Sequence, residues 1–134
     1  MTPRVLLDTH IVVRWLADPK RLSRDQTRIL NEVIRRRETV AISAITLLEI
    51  ALLLGDGSLR SKLSMDEVFG ELEASPVFLI LPLTIDIAKE VSALGTTLRD
   101  PADRVIVATA RVHGLRLATS DQRIIECNVV STVE

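Results

Sequence analysis

Four acidic residues stand where structure alone has little use for a charge. Asp8 follows the apolar run Val5, Leu6 and Leu7, and Asp121 follows the apolar segment Leu115 to Ala118 by way of Thr119 and Ser120. Glu49 is the single charge in the stretch ITLLEIALLLG, and Asp103 stands near the start of DPADRVIVATA. A carboxylate beside a buried strand or inside an apolar helix needs a partner, because burying an unpaired charge is expensive. Carboxylates crowded into one notch raise each other's pKa unless a cation neutralises them. Hard oxygen donors select Mg²⁺ or Mn²⁺ rather than zinc. Such an ion activates a water, binds a phosphate oxygen and steadies the leaving oxygen of an in-line displacement. The chemistry this set would perform is phosphodiester hydrolysis. Each acid also has a plainer reading. Asp8 is a good N-cap, Asp100 and Asp103 suit the first turn of a helix with Pro101 at its first position, and Glu49 fits an edge pair with an arginine.

The elements that must position these residues are legible in the apolar pattern. The continuous apolar run Val5–Leu7 suits a strand covered on both faces, as in a parallel sheet; Thr39–Ile42, Val77–Leu81 and Leu115–Ala118 read as further strands, with Val129-Val130 as a last edge strand. Helical spacing follows: Ile11, Val12, Trp15 and Leu16 up to Asp18-Pro19, then a helix opened by the Ser23/Gln26 capping box and ending in Arg35, Arg36 and Arg37. The ITLLEIALLLG helix is apolar all round and is expected to close at Gly55 as a C-cap, with one face on the sheet and the other on a second chain. Asp56 to Leu63 reads as a loop. A second capping box, Ser64/Glu67, opens a helix over Met65 to Ala74 that Pro76 stops, with Phe69 and Leu72 inward. Thr84 caps the helix that runs to Gly95, the DPADR helix runs to Gly114, and Gln122 to Cys127 forms a short last helix. The expected architecture is α/β, three-layered and Rossmann-like, with a central mainly parallel sheet flanked by helices. In such sheets ligands gather beyond the carboxyl ends of the strands, where Asp8 and Asp121 would open onto one rim.

Composition narrows the class. At 134 residues and 47% hydrophobic, the chain reads as one domain spanning 1–134. The net charge of -1 argues against indiscriminate nucleic-acid binding, although residues 1 to 37 carry clearly more arginine and lysine than acid. Aromatic residues make up only 2%, so an aromatic platform for single-stranded nucleic acid is excluded; Trp15 is expected to pack, and any RNA contact must rest on phosphates, metal or shape. One cysteine, Cys127, allows no internal disulfide, and His10 and His113 stand apart from any zinc pattern. No apolar run approaches the length needed to cross a bilayer, which points to a cytoplasmic protein without membrane contact.

The motifs LLDTH, SAITLLEIA, DPADR followed by VIVATA, and LATSD, in that order across nearly the whole chain, resemble the PIN-domain ribonucleases, in particular the VapC-type toxins of toxin-antitoxin modules. The resemblance implies Mg²⁺- or Mn²⁺-dependent endonucleolytic cleavage of RNA, a homodimer, inhibition by a small antitoxin, and contact with DNA only indirectly through that antitoxin. It implies Asp8, Glu49, Asp103 and Asp121 as the catalytic and metal-binding acids, Thr119 as a supporting hydroxyl, and Asp100 as an accessory acid or cap. Arg104 is open to two readings, a phosphate contact or a pair with Asp100. Ala102 departs from the bulky aromatic frequent inside the family's DPxDR segment, which touches packing rather than the acids.

The leading expectation is therefore a toxin that cleaves a structured RNA, tRNA or rRNA, to inhibit translation and growth. A catalytically inactive scaffold or binding module of the same fold is the alternative, with the acids serving as helix caps. A metal-dependent phosphatase or phospho-receiver fits less well, because no Asp-x-Asp pair follows the first strand.

Overall fold

The computed structural model describes residues 3–57 and 61–134; part of the expected loop, 58–60, lies outside them. Strand β1 (Val5–Leu7) leads through the cap at Asp8 into α1 (Thr9–Ala17) and a 3-10 turn at Pro19–Arg21. Helix α2 (Arg24–Arg35) opens on the complete Ser23/Gln26 capping box. Then follow β2 (Val40–Ser43), α3 (Ala44–Gly55), α4 (Met65–Ala74), β3 (Phe78–Leu81), α5 (Ile85–Ala93), α6 (Pro101–His113), β4 (Arg116–Ala118), α7 (Gln122–Cys127) and β5 (Thr132–Val133). The Ser64/Glu67 capping box is likewise complete, and Asp100 and Pro101 take the N-cap and first helical positions of α6.

All strand pairs are parallel, in the order β3-β2-β1-β4-β5. Because successive residues of a strand point to opposite faces, each central strand feeds two cores. Val5, Leu7, Val40, Ile42 and Ala118 pack with Ile11, Val12, Leu30, Val33, Val68 and Leu72 of α1, α2 and α4. Leu6, Ala41 and Leu117 pack with Ile87, Ile106, Val107 and Ile124 of α5, α6 and α7. That double covering is why β1 reads as an unbroken apolar run, and it gives the three expected layers. Trp15 packs its edge on Phe78, ring centroids 5.6 Å apart.

Chain order reverses direction between β1 and β4, with β2 and β3 to one side and β5 to the other. That switch point opens a crevice at the carboxyl ends of the strands, the usual ligand position in open parallel sheets.

Two expectations need correction. The last edge strand is Thr132–Val133, not Val129-Val130: Asn128 takes a left-handed conformation (φ 52°) that turns the chain, and Val129 and Val130 pack as partly buried side chains against the α6 face. Gly55 is not the C-cap of α3; it is the last helical residue, Asp56 caps, and the left-handed glycine is Gly57 (φ 77°). The β3 run is an edge strand whose Leu79 and Ile80 are exposed.

Candidate active site at the switch point

The ends of β1 and β4 meet side by side. The backbone N–H of Asp8 donates to the carbonyl of Ala118, so both chains leave the sheet at the same level. Asp8, 3% exposed, is tied at both oxygens. Its Oδ1 accepts from the N–H of Thr9 at 2.8 Å, and its Oδ2 accepts from the hydroxyl of Thr119 at 2.7 Å. The Thr119 oxygen in turn accepts from the N–H of Asp121 at 3.1 Å, so one buried hydroxyl spaces the two strand-end acids.

Helices bring the other acids. Asp103 stands in the first turn of α6, buried, and its Oδ2 is shut away from solvent without any hydrogen bond. The nearest cation atom is Arg123 Nη2 at 3.7 Å, close enough to attract and too far to bond. Burial first, then the negative charges of Asp100, Asp8, Asp121 and Glu49, pushes the Asp103 pKa up to about 7. All four other acids therefore act on it through space. Glu49, on the inner side of α3, has its pKa raised by burial and by Asp8 and Asp100, partly offset by a hydrogen bond from the hydroxyl of Thr9 to its Oε1. The Thr9 and Thr46 hydroxyls share a hydrogen bond at 3.0 Å, which links α1 to α3 behind the carboxylate. Glu49 thus pairs with a hydroxyl, and the edge arginine of the plainer reading is not its partner.

Asp121 behaves differently. Arg123 grips it through Nε at 3.3 Å and Nη2 at 3.0 Å, and this bond holds its pKa below the usual carboxylate range. Asp100 is exposed and caps α6 through the N–H of Ala102. Asp8 and Asp121 also cap their helices, α1 and α7. Capping therefore explains something about three of the acids and nothing about the buried oxygen of Asp103.

Arg104 makes no ion pair with Asp100 among the described residues. Its guanidinium donates to the carbonyls of Val91, Gly95 and Leu98 at 2.7, 2.6 and 2.5 Å, closing the carboxyl end of α5. Three of its N–H groups are used there.

Sequence reasoning passed over four residues that build the rim: Thr9, His10, Gln26 and Arg123. His10 accepts at Nε2 from the N–H of Ser120 (2.9 Å) and places Nδ1 3.5 Å from Asp8 Oδ2; burial lowers its pKa more than Asp8 raises it. Gln26 is wholly buried: while its carbonyl completes the capping box, its Nε2 donates to the carbonyls of Thr119 and Val133 and to Ser120 Oγ. A glutamine in a capping box gives a local signal only for the cap. The LDTH tetrapeptide already carried the clue for Thr9 and His10, since both flank Asp8.

Among the described residues, no three acidic, imidazole or thiol groups close on a common coordination point; the acids ring a gap that Arg123 enters from the α7 side. The donor set nevertheless fits a hard cation: carboxylate oxygens from four elements, one of them buried and unbonded, with mutual repulsion that a positive charge would relieve.

The family model described as PIN domain matches residues 5–129. Ribonuclease VapC22 of Mycobacterium tuberculosis is 33% identical over 121 residues, 90% of this chain and 88% of its own. Among solved structures, FitAcB from Neisseria gonorrhoeae superposes with a TM-score of 0.70 at 27% identity, covering 97% of this chain and 96% of that one. VapBC2 from Rickettsia felis, solved with a DNA fragment from its promoter, also gives 0.70, covering 96% of each chain; at 17% identity the likeness is one of fold.

Proposed function

The chain belongs to the PIN-domain family, and from that premise we propose that it is a divalent-metal-dependent endoribonuclease, the toxin of a toxin-antitoxin pair. The observation that carries this reading is the buried, unbonded Oδ2 of Asp103 inside a ring of carboxylates at the switch point. A structural acid would have found a donor. The related mycobacterial ribonuclease supports the substrate class.

In this reading Asp8, Asp103 and Asp121 hold Mg²⁺ or Mn²⁺, with Glu49 beside them. The ion supplies charge neutralisation at the phosphate and an acidified water. The chain's own groups do the positioning. Thr119 and the Thr9 N–H fix the two oxygens of Asp8, so that carboxylate is presented in one orientation. Thr9 holds Glu49 Oε1 and leaves Oε2 without a hydrogen bond among the described residues, placed to take a proton from the attacking water; its raised pKa suits that role at neutral pH. We assign the target to a structured RNA, tRNA or rRNA, because a chain with 2% aromatic residues must recognise shape and phosphates rather than stack bases. Cleavage of such RNA would inhibit translation, and its setting would be the cytoplasm. Leu48 and Leu52 of α3, 53% and 59% exposed, offer apolar surface for protein partners, which we assign to a second copy of the chain and to a cognate antitoxin. Contact with DNA would come only through that antitoxin.

The capping bonds of Asp8, Asp100 and Asp121 favour one other reading, an inactive scaffold of the same fold. Incubating wild type and Asp8→Asn, each freed of inhibitor, with end-labelled total RNA separates the two. Discrete fragments from wild type alone, in Mg²⁺ or Mn²⁺ and not in EDTA, support the nuclease. Intact RNA throughout, together with no Mn²⁺ binding by calorimetry, supports the scaffold.

A further inference from the structure

Beside the acid rim lies a second feature with the opposite charge. A cleft of about 330 Å³ runs between α1, the 3-10 turn and the segment before α4. Its lining includes the cations Arg14, Arg21 and Lys62 and the apolar Val13 and Ala17. Among the described residues Asp18 is the one carboxylate that lines it, and its side chain makes no cap bond. Elsewhere, Arg4, Arg28, Arg36 and Arg111 each pair with a carboxylate at 2.7 to 2.8 Å. Arg14, Arg21 and Lys62, like Arg24, Arg35, Arg37 and Arg99, make no ion pair among the described residues; what sets them apart is that they line one cleft. Arg14 is partly desolvated and is repelled by Arg21, so both effects lower its pKa. Three cations against one carboxylate leave the cleft with an excess of positive charge that an anion would offset.

The position of the cleft says which anion. His10 lines it on one side and reaches Asp8 on the other, with Nδ1 3.5 Å from the Asp8 carboxylate. Its ring also feels Asp121 from the acid rim and Arg14 and Arg21 from the cleft. One imidazole therefore separates the carboxylates from the cations. We propose that this cleft binds the sugar-phosphate backbone of the RNA strand next to the cleaved bond, with Arg14, Arg21 and Lys62 neutralising its phosphates and Val13 and Ala17 lying under a ribose; the inference rests on the nuclease reading above. The acid rim repels a polyanion until it is neutralised, and the neighbouring cations supply the attraction that holds the strand across it. Lack of aromatic side chains in the cleft makes this grip independent of base identity.

The test is fluorescence anisotropy with a fluorescein-labelled 12-nucleotide single-stranded RNA and the full chain in EDTA, across a salt series. Wild type, Arg14→Gln, Arg21→Gln and the double variant are compared, with Arg14→Lys as the charge-retaining control and thermal melts confirming folding. Each lost cation should flatten the dependence of log K on log salt by about 0.7, with a several-fold loss of affinity, and Arg14→Lys should restore the slope. Mn²⁺ affinity by calorimetry should stay unchanged, because the acids are untouched. An unchanged slope in the double variant overturns the proposal, even if the variants bind an antitoxin more weakly. Cleavage that persists alongside that unchanged slope leaves the nuclease reading standing; cleft-dependent RNA binding by a wild type that never cleaves removes the nuclease and keeps the cleft.

Discussion

Asp103 and Arg104 are neighbours in the first turn of α6 and have opposite fates. Arg104 turns to α5 and fills three carbonyls, so its charge is consumed in closing a helix end. Asp103 turns to the switch point, keeps one buried oxygen unbonded and is surrounded by other acids. One charge is satisfied by the fold, the other is strained by it. A polar group that the fold leaves unsatisfied marks a place where something else is meant to bind, whereas a saturated one marks structure.

Substitutions at the two positions should therefore separate stability from activity. Asp103→Asn should lower RNA cleavage by about 10³-fold. The same change should raise the stability of the metal-free chain at pH 8 by about 1–3 kcal/mol, because it removes an ionisation the fold resists. Arg104→Ala should do the reverse, losing about 2–4 kcal/mol in urea unfolding while the folded fraction still cleaves. If Arg104→Ala instead removed activity at full stability, the division between the two residues would be wrong.

The pH dependence sharpens the same contrast. The folded pKa of Asp103, about 7, lies above its ordinary 3.8, so the folded state binds a proton that the unfolded state has released. Stability in EDTA should thus fall as pH rises from 3.8 to about 7 and level off above, by an amount on the order of a few kcal/mol. Glu49, also raised, adds to this fall; Asp121, lowered by Arg123, works the other way and loses its contribution as pH drops through its folded pKa. Urea midpoints across this range should show the slope in wild type and its flattening in Asp103→Asn. A smaller effect is expected at Thr119. Replacing its hydroxyl by the isosteric valine should reduce stability by about 1–2 kcal/mol and Mn²⁺ affinity about tenfold, since Asp8 and the Asp121 N–H both lose a partner.

Much of this arrangement was written locally. Capping boxes at Ser23 and Ser64, the Asp100-Pro101 helix start and the apolar strands depend on residues within a few positions of one another, and the structure matches them. The acids near Asp103 were legible by their awkward settings. What sequence could not give is decided at long range. Arg104 meets carbonyls on another helix, and Gln26 reaches the end of β4 over more than ninety positions. The strand expected at Val129-Val130 fails because Asn128 turns left-handed and pairing with β4 is made three residues later, at Thr132–Val133. Gly55 and Gly57 lie two apart, and only the backbone angle shows which one takes the positive φ.

Titrating the Asp103 carboxyl carbon by NMR, with and without saturating Mg²⁺, addresses the notch itself. Without the ion the carboxyl should titrate near 7, and with it the transition should move down below the ordinary carboxylate range. A carboxyl that titrates near 4 in EDTA, or one that Mg²⁺ leaves in place, would mean that these acids are caps and not a cation site.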